Sequence, residues 1–384
     1  MTWNPDGVVT IGGIDFTGET LWNVSISYGR NSIWEQARAG YASISILNAN
    51  NDHFDFDIND AVTITIENSS GTPVTVFTGK VSNIANAVQN SGRSATVVVQ
   101  TLTAVSVFAD MARKVIGDTS WPKEDDDDRM TRIFNDAGVT IDQVDTPAIY
   151  EFTTRDPSPA DSWTLAAYYA QMAFGYIYET TSGEVGFANE SHRFVDARDN
   201  GYLNIDNSYI LWQGVASEKT LADIMNSIIL SYKANAQVTA DDLTSQGIYG
   251  LIAGSIQTEL EKMADAQLQA DRYITLRANP RTSLSSFTVQ LDSSLVSDAD
   301  RNSLIACRMG LPIRITNLPL GIKNTTYTGF VESWTLSFNR YQASITLNSS
   351  DVAYSVTPTR WQDVQATLAW NAVDPAKTWI TYDD

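Results

Sequence analysis

Side chains that could do chemistry are sparse in this chain. His53 and His192 are its two histidines, and neither lies in a metal-ligand spacing, so each reads as a loop or surface residue. The run Asp125-Asp126-Asp127-Asp128 could chelate a cation, but a calcium loop spaces its ligands around a sharp glycine turn, and this run is contiguous. At a helix N-terminus such carboxylates are stabilised by the dipole and solvated. Asp52, Asp55, Asp57 and Asp60 alternate more suggestively, yet they precede a strand in a turn-like region and read as a loop. Cys307 is the only cysteine, which excludes an internal disulfide framework and a cysteine zinc cluster; beside Ala306 it reads as a small buried hydrophobe. There is no Gly-x-Ser-x-Gly, no P-loop, and no GxGxxG opening a helix. A carboxylate pair for glycoside hydrolysis is defined by separation in space, and nothing in the order of residues singles out two. No catalytic residue, cofactor or metal ligand is therefore expected. The residues that stand out are Trp361, Trp370 and Trp379, nine positions apart each time, a spacing that fits neither one helix face nor one strand. Residues 357–384 read as an arm laid over a surface, with these three tryptophans as candidates for an assembly interface.

The elements that would position such groups are mostly strands. Val24-Ser25-Ile26-Ser27-Tyr28, Ala42-Ser43-Ile44-Ser45-Ile46 and Val62-Thr63-Ile64-Thr65-Ile66 alternate with period two, and Val74–Phe77 and Ala95–Gln100 follow. From Leu102 the texture turns helical. A short helix is expected within 103–114, and a second carries Met130, Ile133, Phe134 and Ala137 and ends at Gly138. A third has Ser158 as cap and Pro159 at its first position. A hairpin over Phe174–Phe187 follows. Farther on, Ser245 to Leu291 holds a turn, the apolar piece Ile248–Ile252, and Thr258-Glu259-Leu260-Glu261 in the form of a capping box. The helix it opens is stopped at Asn279-Pro280, and a strand follows from Ser285 to Leu291.

With 384 residues the chain has room for two to four domains. Its first residues have neither the basic nor the apolar region of a signal peptide, and no stretch is apolar for long enough to span a membrane. The charge is −20, from 45 acidic and 25 basic residues, the wrong sign for a generic DNA-binding surface. An acidic wall would let a nucleic acid pass without sticking, and acidity alone would also serve solubility.

Two β regions echo each other. Val62-Thr63-Ile64-Thr65 matches Pro312-Ile313-Arg314-Ile315, and Phe77-Thr78-Gly79-Lys80-Val81 matches Tyr327-Thr328-Gly329-Phe330-Val331, both 250 positions on. Ala95–Val99 matches Ala343–Leu347 at 248, as a hairpin two residues shorter would give. The order suggests a duplicated barrel. The chain is thus expected to be mainly β with α+β inserts. Its parts are a first tube-like barrel over 1–108, an α+β module over 109–206, and a second barrel from 207–243 and 280–356. A turn-helix element over 244–279 and the arm complete it.

The segment Thr244-Ser245-Gln246-Gly247-Ile248-Tyr249-Gly250, the helix after it, Pro280, Met309-Gly310-Leu311-Pro312-Ile313-Arg314-Ile315, and the ending Trp361-Gln362-Asp363-Val364 through Leu368-Ala369-Trp370 together resemble the tail-hub proteins of long-tailed bacteriophages. That family is similar in architecture to contractile-phage baseplate hubs and the bases of type VI secretion spikes. The resemblance implies a structural, non-enzymatic subunit of the virion at the tail tip. It implies a homotrimer whose six barrels match a six-fold tail tube and line the DNA passage without binding DNA specifically. A tail tube or distal tail protein would lie on one side, and tip, fibre or spike proteins on the other. Some members carry a fused peptidase or saccharide-degrading domain, which a chain stopping after its arm is expected to lack. The alternatives are a carbohydrate- or receptor-binding β protein, motivated by the ten Trp and sixteen Tyr, and a glycan-degrading enzyme using unassigned carboxylates.

Overall fold

Alternation of β-branched residues builds the first hundred residues into strands. The computed structural model describes residues 3–49, 54–88, 97–211, 215–221, 223–284, 286–322 and 325–355. Its first strands are β1 (Gly7–Ile11), β2 (Ile14–Thr17), β3 (Leu21–Gly29), β4 (Arg38–Asn48), β5 (Ala61–Glu67), β6 (Pro73–Val88) and β7 (Val98–Val105). Val62, Ile64 and Ile66 of β5 are wholly buried while Thr63 and Thr65 lie on its other face, the two-residue period read from the sequence. All pairs are antiparallel, in the order β3-β4-β7-β6-β5-β1-β2.

A helical module follows, with α1 (Val107–Met111), α2 (Asp126–Ala137), β8 (Ile141–Val144), α3 (Ser162–Met172), β9 (Tyr176–Glu179), β10 (Val185–Ala188) and α4 (His192–Asn200). Gly138 ends α2 in the left-handed conformation at φ 60°, as its position predicts. The start of α3 differs from the Ser158-Pro159 reading. Ala160 and Asp161 pair with Val115 and Ile116, and the Asp161 carboxylate caps the helix by accepting from Thr164 N at 2.8 Å. A strand pairing therefore delays the helix by three residues.

The rest of the chain comprises β11 (Leu203–Asp206), β12 (Ser227–Tyr232), β13 (Ala236–Asp241), α5 (Leu243–Tyr249), β14 (Ala253–Gln257), α6 (Met263–Arg277), β15 (Phe287–Gln290), α7 (Asp298–Ile305), β16 (Pro312–Thr316), β17 (Tyr327–Phe338) and β18 (Ala343–Asp351). The stretch from Ser245 is more divided than its pattern suggests. The presumed turn and the first two residues of the apolar piece lie in α5, and the capping box caps nothing. Thr258 Oγ1 donates to the carbonyl of Ser231 at 2.9 Å, and α6 starts only at Met263 after an uncapped Lys262. Two strands of the 207–243 stretch, β12 and β13, lie outside the large sheet: with β14 they form a separate three-stranded sheet carrying α6 on one face.

The remaining labelled strands continue the first sheet. Twelve strands run β11-β16-β17-β3-β4-β7-β6-β5-β1-β2, with β18 bound to both β17 and β15. The molecule is mainly β, with seven α-helices, and neither half closes into a barrel among the described residues. The reason lies in β17. Tyr327–Phe330 pairs with β16, whereas Ser333–Phe338 pairs with β3, so one strand belongs to both halves and leaves the sheet continuous. The second half comes nearest to closing where Ile210, just past β11, bridges Val289 of β15.

The sequence echo is present in three dimensions, with a shifted register. Val62 faces Gly79 as Ile313 faces Gly329, so β5 aligns with β16 one residue later than the identity of types suggested. The shift places buried Ile64 on buried Ile315 instead of half-exposed Arg314. Similarly Lys80 faces Val105 as Phe330 faces Ser350, which moves the third match by three residues from its sequence alignment. A β-bulge falls between Val81 and Asn83 in β6 and between Val331 and Ser333 in β17, at matching positions. At both glycines a Cβ would run into the aromatic ring two residues back, Phe77 or Tyr327, and into the carbonyl of Val105 or Ser350.

Candidate assembly surface

The residues weighed for chemistry are used locally. Asp126 is buried at the start of α2, where its carboxylate accepts from Asp127 N and Ile149 N; burial pushes it up to about 7, so this member of the run is not solvated. Asp57 and Asp60 spend carboxylate oxygens on the amides of Ile58 and Asp57, a loop arrangement. Cys307 is buried, and desolvation raises its thiol to about 12. His192 opens α4 with Nδ1 2.8 Å from Asp145, whose carboxylate also accepts from Gln143 Nε2 and Asn189 N. This pair borders a cavity of about 590 Å³ that also meets Asp142, Tyr178 and Arg308. Among the described residues no group of three or more His, Cys, Asp or Glu is placed to hold a metal ion. His53, Asp52, Trp361, Trp370 and Trp379 lie outside the described residues.

What the structure does bring together is a buried junction that no local pattern marks. Glu332 sits in the β17 bulge, 1% exposed, at the point where that strand changes neighbour. Its Oε2 accepts from Arg30 Nε at 2.6 Å, and Arg193 of α4 forks onto both oxygens at 2.7 and 2.9 Å. Ser350 of β18 adds a hydrogen bond to Oε1. Burial opposes the charge on Glu332, yet Arg193 and Arg30 hold the carboxyl down at about 2. Both guanidiniums also lie over the Tyr176 ring, at 5.1 and 4.9 Å. One carboxylate thus ties the first half, the helical module and the second half.

A second carboxylate fixes the module to the first half. Glu179 of β9 accepts from Gly40 N at 2.5 Å and Ser106 Oγ at 2.6 Å, and burial raises its pKa to about 7. Gln36 meets the backbone at the start of β9 with both ends of its amide, donating to the carbonyl of Gly175, just before the strand, and accepting from Ile177 N, at 3.0 Å each. Across the β3–β17 seam, Tyr28 stacks on Trp334 with centroids 5.1 Å apart.

The other face of this seam is rich in hydroxyls. Gln290, Ser344, Ser337, Ser25, Ser43, Thr103 and Asn83 are successive partners across β15, β18, β17, β3, β4, β7 and β6. A neighbouring row runs Thr288, Thr346, Thr335, Ser27, Tyr41, Val105 and Lys80. Hydroxyls bond along these rows, Ser25 to Ser337 at 3.1 Å, Ser27 to Thr335 at 2.8 Å and Thr288 to Thr346 at 2.8 Å. Neither row contains a carboxylate; the first carries no charge, and the second ends on Lys80, which is paired with Asp110 at 2.7 Å. Among the described residues no helix is long and apolar enough to cross a membrane.

No protein-family model and no curated protein sequence matches the chain. Solved structures do. The 43 kDa tail protein of prophage MuSo2 from Shewanella oneidensis superposes with a TM-score of 0.62 at 12% identity, over 92% of this chain and 98% of that one. A tail protein from Neisseria meningitidis MC58 gives 0.63 at 11% identity, over 92% and 98%. The prophage tail protein gp18 from Listeria monocytogenes EGD-e gives 0.55 at 11% identity, over 90% and 95%. Across nearly its whole length, the chain has the fold of these tail proteins.

Proposed function

We propose that this chain is a structural hub subunit of a phage-type tail, assembling as a trimer in which two similar half-sheets per chain make a pseudo-six-fold ring. The observation that carries the reading is the matched set β5-β6-β7 and β16-β17-β18, with equivalent bulges and glycines, joined into one sheet through β17. Three chains would then present six quasi-equivalent, barrel-like units, which lets a three-fold assembly mate with a six-fold tube. The row from Gln290 to Asn83 is the part suited to face a DNA passage, since it carries no cation for phosphate to hold. Tail-tube and tip proteins are the neighbours this position implies. The segment with Trp361, Trp370 and Trp379 is the assembly arm, because three exposed indoles would each leave about 1.5–3 kcal/mol of burial unrealised. Chemistry is no part of the role. Sedimentation of the full chain tests the reading: a species of three chains is expected, and a monomer stable at micromolar concentration overturns it.

A further inference from the structure

Beside α3 runs an open groove of about 690 Å³ whose apolar lining is mostly rings, Trp34, Trp163, Tyr168 and Tyr273. Three of these are held in place. Trp163 donates its indole N–H to the carbonyl of Ala37 at 3.1 Å, Arg277 lies over the Trp34 ring at 4.1 Å, and the Tyr168 hydroxyl donates to Glu259 at 3.3 Å. Polar groups accompany the rings. Thr164, Tyr168 and Gln171 recur at i, i+4 and i+7 on α3, and all three are exposed along the groove. From β14, an edge strand, Ser255 and Gln257 are two apart, exposed, and border the same groove. The two charged lining residues, Glu35 and Arg38, pair with each other at 3.4 Å, so the lining carries no net charge.

We propose that this groove binds a neutral, β-linked glycan chain. A pyranose in such a chain offers flat C–H faces to aromatic rings and a rim of hydroxyls to amides and hydroxyls, the two kinds of group that line the groove. An extended β-linked chain presents those faces in succession, which suits a groove open along its length. Lining charges that cancel favour a sugar without carboxylate or phosphate. Rings already fixed by their own contacts lose little freedom when the ligand arrives. The site is complete within one subunit, so it stands or falls separately from the ring.

The test uses the full chain with cellohexaose and N-acetylated chitohexaose as probes, read by calorimetry and by hydroxyl-radical footprinting with mass spectrometry. Trp163 and Tyr168 are expected to be oxidised in the free chain and protected by at least one of the two hexaoses. The affinity should stay constant between about 0.05 and 0.5 M salt, because no charge is paired on binding. Tyr168→Ala and Gln171→Ala remove exposed side chains, and each should weaken binding about tenfold, the loss of one aromatic contact or one hydrogen bond. Thermal unfolding of both variants checks that they remain folded. Binding of neither hexaose at millimolar concentration, binding that either substitution leaves unchanged, or an affinity that falls steeply with salt overturns the proposal. So do rings already protected in the free chain, since protein would then fill the groove.

Discussion

Glu332 is a charge placed where a strand changes partner, and its worth follows from what removal leaves behind. Two buried guanidiniums share it, so Glu332→Ala strands both without a counter-ion. Losing one partner of a buried network costs about 3–5 kcal/mol. Urea denaturation of the variant is expected to show a loss of that size, and a loss below about 1 kcal/mol would mean the junction is not held by this group. The pH sign is fixed by the depressed carboxyl. Its stabilisation is fully present above the ordinary glutamate value of 4.5 and is lost as pH falls toward about 2. None of this was legible beforehand: Arg30 and Glu332 are 302 positions apart, and each alone looks like a surface residue. The local uses of Asp57 and Cys307, by contrast, followed from type and neighbours.

Strands were the legible elements, because their two-residue period is carried by every residue. Register was not. A run of Thr, Val and Ile slides by one position at little cost in apparent similarity, and it takes the pairing opposite Gly79 and Gly329, together with burial, to show that Ile64 corresponds to Ile315. Helix starts after Ser158 and Thr258 failed because partners distant in sequence took the residues first: Ala160 and Asp161 pair with Ile116 and Val115, and Leu260 bridges Phe152. The aromatic-Thr-Gly motif did survive translation, and it makes a paired prediction. Gly79→Ala and Gly329→Ala each force a methyl against a ring and a carbonyl, so each is expected to lower stability by about 1–3 kcal/mol. Thermal unfolding of the two variants measures it. Two similar losses support equivalent roles for β6 and β17, whereas a neutral change at either contradicts them.

At the scale of the molecule, the fold is that of tail proteins, while the ring remains this account's own claim. The chain supplies two related half-sheets, one shared strand and a hydroxyl-rich strip crossing both halves, and these are the parts that the proposed ring would use. The most direct test is imaging of the assembled full chain down that axis by electron cryomicroscopy. The account predicts three chains, six alternating half-sheets around a central passage, and Ser25, Ser43, Ser337 and Thr103 facing it. Isolated single chains, or a ring whose passage is walled by other surfaces with this strip turned outward, would contradict it.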